Sequence, residues 1–135
     1  MKIKDLSVTF HTGKIKECAD FYVKYFGAKV VFDYEWYVTI RLQSDPNQPI
    51  YLSFMKPEYG TAGLVFSGGI TLNVTVEDVD AEYFRIMQTG IKINEEITDH
   101  DYGDRAFSVK DPIGNVFYIY SEREIGDKYK DAVKE

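Results

Sequence analysis

The sequence predicts an α+β fold made of two consecutive βαβββ modules, and three observations carry that expectation. Runs of strict apolar/polar alternation recur along the chain, as half-buried strands require. One amphipathic helical stretch follows the first such run of each half. The halves also repeat in residues: FGAKVV at 26–31 matches TGIKIN at 89–94, Phe21 matches Phe84 at the same offset, and the turn SDPNQP mirrors KDPIGN.

The first module covers about residues 3–57. Residues 5–11 alternate, with Leu6, Val8 and Phe10 against Ser7, Thr9 and His11. Thr12 suits a helix N-cap, and Ile15, Cys18, Ala19, Tyr22 and Phe26 then recur at helical spacing, with Phe21 expected between helix and sheet. Gly27 ends this helix where left-handed backbone is cheapest. AKVVFDY, WYVTIRLQ and IYLSFM read as three further strands. A Gly-containing connector, 58–69, reads as the linker. The second module, about 70–122, opens on ITLNVTV. Asp78 caps a helix whose buried stripe is Val79, Tyr83, Ile86 and Met87, and Gly90 stops it. IKINEEI, DRAFSVK and VFYIYSE follow as strands, the last two joined by the Asp111–Asn115 turn. Residues 123–135 form a charged tail, expected as a short solvated helix.

A chain of 135 residues is one domain in length and buries a core without staples. The single cysteine excludes an internal disulfide and fits a reducing compartment. Neither a signal sequence nor an apolar run long enough for a membrane span is present, so a cytoplasmic protein is expected. A net charge of −6 and a pI near 4.9 argue against nucleic acid or an anionic membrane as partner. The 11 tyrosines and 9 phenylalanines exceed what a core of this size needs, so ring surface is expected to meet a ligand or partner.

Phe21-Tyr22, Gly27, VEDVDAEY at 76–83, Gly103-Asp104-Arg105, Asp111-Pro112 and Gly114-Asn115 stand in the order and spacing of a known family. The chain resembles the vicinal oxygen chelate superfamily, the glyoxalase, bleomycin-resistance and dioxygenase proteins, over about residues 3–122. The resemblance implies that each module's four strands curl into half a barrel, with helices outside and a ligand cavity within. Leu6, Val8, Phe10, Ile50, Leu52, Phe54, Ile70, Leu72, Val74, Phe107 and Val109 then pack under the helices. The opposite face lines the cavity: Ser7, Thr9, His11, Tyr37, Thr39, Arg41, Tyr51, Ser53, Met55, Thr71, Asn73, Thr75, Ser108, Tyr118 and Tyr120. A one-residue slip would bury hydroxyls and Arg41 beneath helices, which opposes any other register.

Metal-using members of the family carry a ligand on the first and last strand of each module. By the resemblance those positions fall on Ser7, on Ser53 or Tyr51, on Thr71 and on Tyr118. Neutral hydroxyls do not replace imidazole and carboxylate donors, so no metal and no other cofactor is expected. His11 reads either as an acid/base group or as a hydrogen-bonding strand end. His100 sits in the acidic stretch TDHDYGD, read as a solvated loop rather than a scavenged-metal site. Arg105 reads as structural, with a ligand contact as the other option. Cys18 reads as an inert buried thiol. The resemblance is nearest to the bleomycin-resistance type: a homodimer that binds an organic small molecule, cationic or anionic, without a metal. The alternative is a lyase, isomerase or dioxygenase of the same superfamily, with His11 or Tyr118 as proton donor if metal-free.

Overall fold

The computed structural model describes residues 1–60 and 63–135; Thr61 and Ala62 of the predicted linker lie outside them. The chain divides into two compact units, Met1–Gly68 and Gly69–Glu135. Each carries a four-stranded mixed sheet with one α-helix between its first two strands, so the α+β class and the βαβββ order hold.

The first unit contains β1 (Val8–His11), α1 (Ile15–Phe26), β2 (Lys29–Tyr34), β3 (Tyr37–Leu42) and β4 (Ile50–Met55). The sheet order is β1-β4-β3-β2, with β1 parallel to β4 and the other pairs antiparallel. Ile15, Cys18, Ala19 and Tyr22 fall on one side of α1 and are buried, because their spacing follows the helical repeat. Gly27, at φ 65°, closes the helix by donating its N–H to the Tyr22 carbonyl. The N-cap is Lys14 rather than Thr12. Thr12 instead accepts from the Lys14 N–H through Oγ1 and orders the entry. Tyr22 is fully buried and stacks on Phe54, which stacks on Phe10.

Phe21 is only half-buried, resting among Tyr22, Tyr25 and Phe26 on the flank of the helix, so the expected anchor moves one residue to Tyr22. Leu6 and Ile50 are also exposed, and Val8 partly so, against expectation. The helix packs chiefly on β3, β4 and β2, and Leu6 before β1 and Ile50 at the start of β4 stay exposed. Part of the predicted linker joins this unit: Pro57–Tyr59 forms a 3₁₀ turn, and Phe66 donates to the His11 carbonyl while packing edge-on against Phe10.

The second unit contains β5 (Thr71–Thr75), α2 (Val79–Gln88), β6 (Glu95–His100), β7 (Asp104–Lys110) and β8 (Val116–Glu122). Its order, β5-β8-β7-β6, repeats the first sheet. Asp78 caps α2 by accepting from the Ala81 N–H. Ser121 accepts from the Val79 N–H and donates to the Val76 carbonyl, which ties the helix start to β8. Val79 and Ile86 are buried, and Tyr83 meets Phe107 edge to face. Met87 is about half exposed and leaves the expected stripe. The helix packs on β7 and β8, so Ile70 is exposed and Leu72 and Val74 only half-buried.

Arg105 faces this helix side. It donates to Asp80 on α2 and to Asp99, its neighbour across β6, and holds the Asp80 carboxyl below its usual range. In the Asp111–Asn115 turn, Asp111 Oδ1 accepts from the N–H groups of Ile113 and Asn115, and Oδ2 accepts from the Asn115 side chain. His100 belongs to β6 rather than to a loop. The tail forms a 3₁₀ helix at Asp127–Ala132, and Tyr129 comes edge-on to Tyr102.

Candidate functional site

Cross-strand partners share a face, so the register assigns each sheet's open side residue by residue. In the first unit Thr9 stands opposite Ser53, Thr39 opposite Ser53 on the other flank, and Tyr37 opposite Met55. Their hydroxyls meet: Tyr37 Oη lies 3.3 Å from Thr9 Oγ1, and Thr39 Oγ1 lies 2.8 Å from Ser53 Oγ. Hydrogen bonds from Ser53 and Thr9 lower the Tyr37 pKa, outweighing the opposing effect of burial.

Toward the β2–β3 turn this face opens into a hollow of about 730 Å³ walled by Phe32, Tyr34, Trp36, Tyr37, Met55 and Tyr59, with Thr39 at its edge. At the other end Arg41 and Tyr51 border a separate hollow of about 410 Å³ with Lys29 and Gln43. Ser7 precedes β1 and is exposed, outside the strand expected to carry it. His11 Nδ1 is buried without a hydrogen-bond partner among the described residues. Gly60 lies against its ring, where a Cβ would come within 2.7 Å of Nδ1, so this imidazole is shielded on that side.

In the second unit Asn73 stands opposite Tyr118, and Tyr118 opposite Ser108. A hollow of about 600 Å³ is lined by Thr71, Asn73, Tyr118 and Tyr120, together with Tyr102, Asp104, Glu95 and Glu122, which were not expected. Ser108 shares the face but is fully buried, donating to Glu95 and accepting from Asn94. Thr75 lies on the same strand face and is exposed.

Tyr118 donates to Asp104 Oδ2 at 2.8 Å and lies 3.1 Å from Tyr102 Oη, while His100 Nδ1 meets Asp104 Oδ1 at 2.7 Å. The His100 and Tyr102 rings stack at 4.8 Å. Burial first, then the bonds to Tyr102 and Asp104, push the Tyr118 pKa far above the ordinary tyrosine value. Because the unfolded chain ionises this phenol near pH 10 and the fold resists, stability is full below that pH and falls as pH rises through it. An absorbance titration of phenolate is expected to leave the Tyr118 phenol un-ionised until the protein unfolds. In Tyr118→Phe that lagging group is absent; an unchanged titration would refute this environment.

The missed residues have identifiable causes. A register shift between Val30 and Phe32 puts both Lys29, opposite Arg41, and Phe32, opposite Thr39, on the open face, although simple alternation separates them. A second shift between Glu95 and Thr98 brings Glu95 and His100 to the face of Ser108 and Asp104. The acidic stretch TDHDYGD was the available signal for His100 and Asp104.

The positions that the resemblance marks for a metal carry hydroxyl donors here. Ser53 and Thr71 offer neutral hydroxyls, and the Tyr118 hydroxyl is already engaged by Asp104. Among the described residues no group of three or more His, Cys, Asp or Glu side chains is placed to hold a metal ion. Hydroxyls alone at the positions marked by the resemblance are poor donors for a divalent cation.

The sequence profile of the Glyoxalase/Bleomycin resistance protein/Dioxygenase superfamily matches residues 6–119. No curated protein sequence matches the chain. Among solved structures, a member of that superfamily from Sphaerobacter thermophilus aligns with a TM-score of 0.67 at 25% identity, over 90% of this chain and 98% of that one. Lactoylglutathione lyase from Agrobacterium tumefaciens aligns at 0.66 and 15% identity, over 90% and 96%. TioX from Micromonospora sp. ML1 aligns at 0.60 and 17%, over 87% and 95%. The last two likenesses speak to the fold alone. With two βαβββ units and a profile match over most of its length, the chain belongs to the glyoxalase, bleomycin-resistance and dioxygenase superfamily.

Proposed function

We propose that this protein binds an organic small molecule, a drug or a metabolite, without a metal, in the manner of the bleomycin-resistance proteins. The observation that carries the reading is Tyr118. It stands where the family resemblance puts a metal-binding carboxylate, and its hydroxyl is tied to Asp104 instead. A carboxylate there, buried without its cation, would be costly, whereas a phenol offers a ring face and a neutral donor. Rings and a hydroxyl line the first hollow, hydroxyls and rings share the second with Asp104, Glu95 and Glu122, and both fall in the usual size range of ligand pockets. Each sheet also keeps open edges, and we assign the protein to homodimers near twice 15.6 kDa, measurable by light scattering on the same sample.

The test is elemental analysis after separate exposure to Zn, Ni, Mn and Fe, paired with a thermal-shift screen of planar drugs and small organic acids. The reading expects no retained stoichiometric metal and at least one stabilising organic ligand. Chelator-resistant metal in the wild type would overturn it.

One observation favours a second reading. The His100–Asp104 pair is built like the acid/base dyads that orient an imidazole, so a metal-free isomerase or lyase is the alternative. Turnover of a screened ligand, lost in His100→Gln, would favour it.

A further inference from the structure

We propose that the open face of the first sheet binds an amphipathic organic carboxylate, its acid group between Lys29 and Arg41 and its apolar body on the rings around Trp36. This rests on the small-molecule reading above and adds the ligand's charge and shape.

The starting point is an electrostatic oddity. Lys29 and Arg41 are direct cross-strand partners, and like charges placed opposite each other in a sheet repel. Among the described residues the ion pairs engage Lys16, Arg85, His100, Arg105, Lys128 and Lys130, and neither Lys29 nor Arg41 enters one. Asp45 borders the same hollow, but its carboxylate accepts from the Asn47 N–H. An anion between the two cations would relieve the repulsion, and the planar fork of Arg41 matches a carboxylate.

The second unit's carboxylates are in a different state. Asp104 is already bonded by Tyr118 and His100, Glu95 by Ser108, and Glu122 is solvent-exposed. The unmet demand is for an anion. The end of α1 selects among anions: Gly27, its C-cap, lines the Lys29–Arg41 hollow, and the negative pole of a helix disfavours a phosphate dianion more than a single carboxylate.

The rest of the face sets the ligand's other end. From Arg41 along β3 the surface passes through the hydroxyls of Thr39 and Ser53 to Tyr37 and Trp36. Four residues of strand span about 13 Å, so the ligand needs an apolar body roughly that far from its acid. Phe32, Tyr34, Trp36 and Tyr37 meet at 79–81° in adjacent pairs, giving walls rather than one flat stack. Phe32 and Tyr34 are each about half exposed, leaving ring surface for contact.

Trp36 is the only tryptophan, so its emission reports on this hollow directly. The experiment titrates phenyloctanoate, its neutral amide and the corresponding phenyloctylamine against the full chain, in wild type and in Lys29→Gln/Arg41→Gln. Phenyloctanoate is expected to shift Trp36 emission saturably, about tenfold or more tighter than the amide or amine, with affinity falling as salt rises. In the double variant the carboxylate should fall to the level of the amide, while amide binding stays unchanged. Equal binding of all three probes, or tighter binding of the amine, overturns the proposal but leaves small-molecule binding standing. A carboxylate preference that survives in the double variant overturns it too. Failure of all three probes to shift Trp36 emission overturns the proposal and leaves standing the small-molecule reading carried by Tyr118 in the second unit's hollow.

Discussion

Tyr22→Ala is expected to lower the unfolding free energy by about 3–5 kcal/mol, as the loss of a large ring from a packed core does. Tyr22 is wholly shielded from solvent, it stacks on Phe54, and it touches Phe26 on its own helix. The surrounding strands are held in register by backbone ladders and cannot collapse fully into the space. Phe21→Ala, one residue away, should cost roughly 1–2 kcal/mol, because part of that ring already sees water. Urea titration of both variants checks the order. A larger loss at Phe21 would mean that the buried stripe of α1 is misplaced by one residue.

Asp111→Ala should cost about 3 kcal/mol, since it strips the acceptor from buried donors that no other group replaces. Two backbone N–H groups and the Asn115 amide point at this carboxylate, and Asn115 is wholly buried. The effect should extend beyond the turn. Asp111–Asn115 joins β7 to β8 and fixes the register that puts Tyr118 opposite Asn73 and Ser108. A loosened register exposes Tyr118, so the lagging phenol in the alkaline titration should move back toward the ordinary tyrosine range. Near-native stability with an unchanged phenol would show that the turn does not position β8.

The two-module order was legible in the residues because its signals are local. Alternation marks β3, β4, β7 and β8, the helical stripe marks α1, and Gly27 and Asp78 mark helix ends, all within a few residues of what they specify. The open-face hydroxyls Thr9, Thr39 and Ser53 and the rings Tyr37 and Tyr118 followed from the same alternation.

What escaped depends on partners distant in sequence. Helix coverage decided that Tyr22 rather than Phe21 is the anchor and that Leu6, Ile50, Ile70 and Met87 stay exposed, because burial depends on which strands a helix lies across. Two register shifts turned Lys29, Phe32, Glu95 and His100 toward the open faces, and a bulge carries no local signature strong enough to break an alternation pattern on paper. Charge followed the same division. Arg105 and Arg41 are alike in sequence, but the fold gives Arg105 two carboxylates and sets Arg41 opposite a lysine, so only one of them is left to seek an anion.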